Sequence, residues 1–388
     1  MLVLAVLLML LPVAFFGYAY LIYPFVLRAL ASSRPARAPL PDPAIWPTVT
    51  ITVPCYNEER RIRPALDSLL LVEYPADRRQ ILIVSDASTD RTDDIAREYA
   101  DRGVELLRLP ARSGKTAAEN AAVLAARGEL VVNVDASVRI LPNALKALVR
   151  AFGDPTVGVA SSRDVSTGDL TAEGNQGESG YVGYEMWVRA LETRLGSIVG
   201  ASGSFFGIRR EIHEPAFPEE LSRDFASALM AREHGFRAVS VDEAVCLVPR
   251  TTSLKSEFRR KVRTMARGLE TLWYKRHLMN PARHGQFAWM LISHKLCRWL
   301  VYLALPFAVA GLLLLAAVWR PAVALVALAA AGIVLGTVGM RWPDGKRVPA
   351  VFALPGFILA SNVAGVLAWG KVLRRERSPV WEPTRRPA

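Results

Sequence analysis

Three polar clusters hold the residues best suited to chemistry: Cys55-Tyr56-Asn57-Glu58-Glu59, Asp86-Ala87-Ser88-Thr89-Asp90 and Asp135-Ala136-Ser137. Each also has a plain structural use. Asn57-Glu58-Glu59 could form a turn, Ser88 or Thr89 could cap a helix, and Asp135 could sit in an Asx-turn. A fourth acid, Asp224, follows Ser222-Arg223 and precedes Phe225–Met230, which reads as the start of a helix. A carboxylate there can take a proton from an attacking hydroxyl, or it can simply cap the helix. Glu219 and Glu220 are its nearest competitors, and Arg223 would weaken it as a base unless the guanidinium points away. Downstream, Arg259-Arg260-Lys261-Val262-Arg263 could bind phosphate or lie on an anionic lipid surface.

Elements must position these residues. Short β-branched runs alternate with helical periodicity between Val49 and Pro249. Strands are expected at Val49–Pro54, Ile81–Ser85, Val104–Leu109 and Leu130–Val134. Helices are expected at Pro64–Leu71, Thr89–Arg102, Gly114–Ala126 and Pro142–Phe152. This alternation argues an α/β domain with a mainly parallel sheet, whose ligands bind at the carboxyl ends of the strands. The three clusters follow the first, second and fourth strands, so all would stand on that edge.

Taken in order, the motifs resemble those of glycosyltransferase family 2. They are Val53-Pro54-Cys55-Tyr56-Asn57-Glu58-Glu59, Val84–Asp90, Arg112–Asn120, Val134-Asp135-Ala136, Gly200-Ala201-Ser202-Gly203-Ser204, Asp224 and the Trp381–Arg386 tail. The resemblance implies an A-type glycosyltransferase fold, Rossmann-like with a mainly parallel sheet, and an inverting enzyme using a nucleotide-diphosphate sugar, a UDP-sugar first of all. It places the nucleotide at Pro54, Tyr56, Glu58, Asp86, Lys115 and Asp135, with Asp86 reading the base through charge-assisted hydrogen bonds. Asp135 matches the first acid of the family's metal motif, implying Mg²⁺ or Mn²⁺, but Ser137 replaces the second. Asp224 falls at the position of the catalytic base. Gly203, Arg260 and Arg263 fall where diphosphate and acceptor are held. Processive relatives have a Gln-x-x-Arg-Trp motif there; the positions here are Arg260, Arg263 and Thr264, which weakens a long-polymer reading. The acceptor is expected to be a glycan or a lipid. A polyprenyl-phosphate acceptor and a catalytically silent nucleotide-binding membrane partner are the alternatives.

Both ends of the chain are apolar. Met1–Val26 lacks any charge, is long enough to cross a bilayer and exceeds a signal-peptide core, although Ala29-Leu30-Ala31 could be a cleavage site. Arg28, Arg34 and Arg37 follow it, so the next segment is expected in the cytosol of a multi-pass cell-membrane protein. Trp299–Val318, Val323–Met340 and Val348–Trp369 form a second apolar region, the last open to a re-entrant reading because of Pro349 and Pro355-Gly356. Three further spans would place the C-terminus outside, whereas Lys371, Arg374, Arg375, Arg377, Arg385 and Arg386 favour the cytosol. The expected layout is a membrane helix at 1–27, a Pro-rich linker at 28–47 and a catalytic domain at 48–250. Basic interfacial helices at 251–298, a membrane region at 299–370 and a basic tail at 371–388 complete it.

Lys and Arg number 48 against 36 Asp and Glu. The surplus fits an anionic membrane surface better than nucleic acid, since zinc-finger spacing, RNP motifs and basic heptads are all absent. Three scattered Cys and five His show no metal-ligand spacing. Ser113-Gly114-Lys115-Thr116 is not a phosphate loop, because Leu109 stands where its first Gly is required. Tyr184, Trp187 and Leu191 read as a packed helix face rather than a sugar platform.

Overall fold

The computed structural model describes residues 1–34, 40–167, 176–214, 216–249, 254–343 and 348–376. Arg37, Lys346, Arg347, Arg377 and the Trp381–Arg386 tail lie outside them. The α/β domain is built on one eight-stranded sheet in the order β3-β2-β1-β4-β7-β6-β8-β5. The strands are β1 Val49–Cys55, β2 Arg79–Ser85, β3 Val104–Arg108, β4 Leu130–Val134, β5 Arg139–Ile140, β6 Val157–Thr167, β7 Phe205–Arg209 and β8 Arg237–Pro249. β3, β2, β1 and β4 are mutually parallel, while β7 runs antiparallel between β4 and β6. All seven residues of β1 are buried, as expected of a central parallel strand covered on both faces.

Ile51, Ile83 and Val132 pack on one face with Leu66, Ile95, Tyr99 and Leu148 from the helices. On the other, Val131, Phe206 and Ile208 pack against Ala226 and Met230, and Leu82 and Val84 against Ala118 and Ala122. The mainly parallel mixed sheet expected from the sequence is the sheet observed. The helix expected at Thr89–Arg102 is shorter, with an α-helix at Thr92–Arg97 and a 3₁₀ turn at Ala100–Arg102. Ser88 through Arg91 are drawn into hydrogen bonds with the loop after β1, and Gly103 at φ 84° ends the turn.

Among the described residues, four helices are long and apolar enough to cross a membrane: Leu2–Ser32, Gln286–Val318, Ala322–Met340 and Ala350–Leu373. The first runs past Val26 into what reads as linker. The second starts at Gln286, not Trp299, and continues through a π-helical turn at Ile292–Cys297. Its polar residues His294, Lys295 and Arg298 mislead a hydropathy reading; Glu185 from the α/β domain contacts all three, and Glu192 bonds His294 as well. The fourth is one continuous 24-residue helix despite Pro355. Gly336, Gly339 and Gly356 let the last two helices touch backbone to backbone, since a Cβ on Gly339 would lie 2.3 Å from the Phe352 carbonyl oxygen.

Domain and membrane helices interlock. Tyr18 bonds Ser293 at 2.7 Å, Tyr23 donates to Glu192 at 2.6 Å, and Arg194 donates to the Ala31 carbonyl at 2.8 Å. Tyr184 and Leu191 belong to this packed face; Trp187 is exposed.

Candidate active site

The loops after β1 and β2 are zipped together. Asn57 Oδ1 accepts from Thr89 N at 2.8 Å, and Glu58 N donates to Thr92 Oγ1 at 2.8 Å. Asp90, rather than Ser88 or Thr89, satisfies the start of the following helix, accepting from Thr92 N at 2.9 Å. Asn57 and Ala87 sit at φ 52° and 55°, left-handed backbone that is uncommon for residues other than Gly and is held here by the cross-links. The carboxylate of Asp86 is buried and committed. It accepts from Ser113 N at 2.7 Å and Gly114 N at 2.8 Å, which fixes the turn delivering Lys115. Beside it the Arg112 guanidinium lies 3.9 Å from the centroid of the Tyr56 ring. Pro54 is buried within β1.

Past this turn the charges converge. Lys115 Nζ donates to Asp135 Oδ1 at 2.6 Å and stands 3.8 Å from Glu119. Burial alone would depress the Lys115 ammonium, but Asp135, Glu119 and Asp224 outweigh it and raise it above the ordinary lysine range. Burial raises the Glu119 carboxyl even though Lys115 and Arg223 oppose it.

The helix Arg223–Glu233 separates its first two charges. Arg223 turns into the core, where Nη1 donates to His213 Nδ1 at 2.7 Å and to the Glu214 carbonyl at 2.8 Å, and Nη2 donates to Asn120. Burial lowers it to about 10. Asp224 turns the other way, accepting a hydrogen bond from the Ser222 hydroxyl. Ser222, not Asp224, occupies the N-cap position. Asp224 also lies against Gly203, where a Cβ would meet its Oδ2 at 2.5 Å.

The helix Leu254–Tyr274 closes the site. Arg267 donates to Thr116 Oγ1 at 2.6 Å and to the Glu219 carbonyl at 3.0 Å, and Thr271 Oγ1 accepts from Ser222 N at 2.9 Å. Arg260 is held by Glu257 at 2.7 Å on the same helix.

Glu58, Lys115, Asp135, Gly203, Asp224, Arg260 and Arg263 thus line one cavity of about 420 Å³. Pro54, Tyr56 and Asp86 are outside its wall. Sequence reasoning missed Asp164, Arg189, Arg267, Lys295 and Trp299, which also line it. Asp164 accepts from Ser202 Oγ at 2.6 Å and Ser204 Oγ at 3.0 Å. Its only available signal was an acid within a β-branched strand. Lys295 and Trp299 come from an apolar helix that nothing in the sequence assigns to the site.

Among the described residues, no three His, Cys, Asp or Glu side chains converge as a metal cage. Asp135 offers carboxylate oxygen to a divalent cation, and Lys115 now occupies its Oδ1. Mg²⁺ binds through one or two carboxylates completed by phosphate oxygens and water, so this donor set fits a cation that arrives with a diphosphate.

Acids, a lysine and arginines are thus gathered at the carboxyl edge of the α/β sheet. Residues 50–217 match the model of glycosyl transferase family 2, and the α/β domain is a domain of that family with the A-type fold. The chain is 27% identical over 247 residues to an N-acetylglucosaminyltransferase of Rhizobium sp. (strain N33), covering 57% of this chain and 53% of that one. It is 28% identical over 166 residues to a β-monoglucosyldiacylglycerol synthase of Synechocystis sp., covering 42% and 34%. The chain thus spans about half the length of the first of these relatives and a third of the second. Among solved structures, a mannosyltransferase from Pyrobaculum calidifontis in complex with GDP-Man and Mn²⁺ superposes with a TM-score of 0.76. It is 25% identical and covers 96% of this chain and all of its own.

Proposed function

We propose that the chain is an inverting glycosyltransferase working at a membrane. It moves a sugar from a nucleotide-diphosphate donor, a UDP-sugar first of all, to an acceptor hydroxyl at the cytoplasmic face, in glycan or glycolipid synthesis. One observation supports this above the others. Lys115, Asp135, Gly203 and Asp224 share one cavity at the carboxyl edge of a parallel sheet.

Asp224 takes the proton of the acceptor hydroxyl as its oxygen attacks the anomeric carbon, and the nucleoside diphosphate leaves from the opposite face. Arg223 does not oppose this, because its charge is spent on His213, Asn120 and the Glu214 carbonyl. Lys115 meets the diphosphate charge, releasing Asp135 as it does so. A divalent cation held by Asp135 would supply further neutralisation of the departing group. Arg260 and Arg263 border the same space and serve the diphosphate or the acceptor. Asp86 shapes the Ser113-Gly114 turn and reads the base with its remaining lone pairs, beside Tyr56 and Arg112. The Pyrobaculum neighbour, with its GDP-Man and Mn²⁺, supports donor class and cation together.

The test is nucleoside-diphosphate release from a panel of UDP- and GDP-sugars by membranes holding the protein. Asp224→Asn keeps an acceptor for Ser222 and should leave the fold and nucleotide binding intact. Transfer should fall by about 10²–10⁴-fold, the usual worth of a general base. Chelator should lower wild-type turnover. Asp224→Asn within a few fold of wild type would sink the base assignment, and full activity in excess chelator would sink the cation. No turnover of any donor by wild type would favour the silent nucleotide-binding partner, for which Ser137 is the remaining argument.

A further inference from the structure

A second cavity, of about 800 Å³, opens from the first and runs between the apolar helices. Its far part is hydrocarbon-like, with Val13 and Phe16 from Leu2–Gly17, Leu305 and Ala308 from Arg298–Val318, and Phe357 and Ile358 from Ala350–Leu373. The two cavities share Asp164, Ser204, Arg260, Thr264, Lys295 and Trp299 in their walls. An occupant can therefore lie in both at once.

Charge is concentrated at the junction. Arg260, Lys261, Lys295 and Arg298 face the larger cavity with Asp164 and Glu257, and Glu185 pairs with Lys295 and Arg298, so cations remain in excess there. In the smaller one, Arg189 is 8% exposed; its Nε lies 3.6 Å from Glu185, its Nη2 donates to the Ala201 carbonyl at 3.4 Å, and its Nη1 has no hydrogen-bond partner among the described residues. A buried guanidinium with unmet donors is costly unless an anion completes it. Arginine suits that role, because its fork matches phosphate oxygens.

We propose that the acceptor is a lipid phosphate ester whose head carries the reacting hydroxyl. The head enters the smaller cavity toward Asp224, the phosphate sits among Arg189, Lys295 and Arg260, and the hydrocarbon chain fills the cavity between the membrane helices. This rests on the glycosyltransferase reading and deepens it by naming the acceptor class. The acceptor hydroxyl forms the new glycosidic bond, its proton passes to Asp224, and the donor's diphosphate leaves with the electrons of the broken bond. A hydrocarbon chain also explains why a site for hydrophilic donors is walled on one side by Trp299 and an apolar helix.

The experiment uses the full chain in phosphatidylcholine vesicles with hexadecyl phosphate bearing a photoactivatable diazirine on its chain. Cross-links should map to cavity-lining positions of the Leu2–Gly17 and Arg298–Val318 helices and be competed by unlabelled hexadecyl phosphate. Hexadecanol should compete about tenfold less well or worse, the worth of a charge-assisted hydrogen bond. Ala308→Trp, which fills the apolar space, should abolish the cross-links while nucleoside-diphosphate release onto water continues. Cross-links confined to outer helix faces, or unchanged by both Ala308→Trp and competitor, would overturn the proposal. Equal competition by hexadecanol would overturn the phosphate. Cavity cross-links in a protein that turns over no donor would leave the lipid site standing and remove the transferase reading.

Discussion

Gly203 and Asp224 show how closely the site is fitted. No side chain fits at position 203 without displacing the Asp224 carboxylate, because a Cβ would stand 2.5 Å from Oδ2. Gly203→Ala is therefore expected to lower transfer by about 10²-fold through misplacement alone, with nucleotide affinity held. Steady-state rates beside nucleotide titration would check this, and a wild-type rate would show that the carboxylate is not aimed as proposed. Residue type made Lys115, Asp135 and Asp224 legible in the sequence, since each is a charged side chain at a strand end or helix start. Asp86 was legible as a strand-end acid, but its bonds to Ser113 N and Gly114 N were not, because only the folded turn brings those amides to it. Arg189 and Lys295 were illegible, being assigned to the site by tertiary contact alone.

At the scale of elements, the helix Arg223–Glu233 explains how neighbouring opposite charges avoid each other. Consecutive helical residues point about 100° apart, so Arg223 enters the core while Asp224 meets the cavity. The core partner carries a pH signature. Burial, and then the Arg223 charge, hold His213 well below its ordinary value. The unfolded chain would protonate this histidine near pH 6.5 while the folded one would not. Its contribution to stability is thus complete above that pH and is lost as pH falls below it. Melting temperature should fall between pH 7.5 and 5.5, and His213→Gln, which can still accept from Arg223, should flatten the decline; an unchanged slope would refute it. Alternation of strand and helix was readable because β1, β2 and β4 are β-branched and buried. The overlong helix at Thr89–Arg102 was not, because the competing bonds come from Asn57 and Glu59, some 30 residues away.

For the whole molecule, the orientation of the α/β domain across the membrane is directly measurable. The catalytic domain is expected in the cytosol, following Arg28 and Arg34 after the first apolar helix. Cys55, Cys246 and Cys297 are buried, so a reporter such as Asp101→Cys on the exposed surface should label against a quiet background. An impermeant maleimide should reach it only after permeabilisation; efficient labelling of intact cells would reverse the topology and exclude a cytosolic donor. Hydropathy revealed the apolar segments but misplaced the start at Gln286, because Glu185 and Glu192, from a distant part of the chain, partner the polar residues of that helix.

The first apolar helix meets its partner only through residues made much later. Tyr18 and Ser293 are 275 positions apart, and Gly311 is in backbone contact with Ala5 and Met9. At about 5–20 residues per second, a ribosome takes roughly 15–60 s to cover such a stretch. Through that interval the α/β domain can fold, but the wall formed by Lys295 and Trp299 does not yet exist. A nascent chain therefore leaves the cavity open to water on the side that the later helices close, and the cavity has all its walls only once they are made.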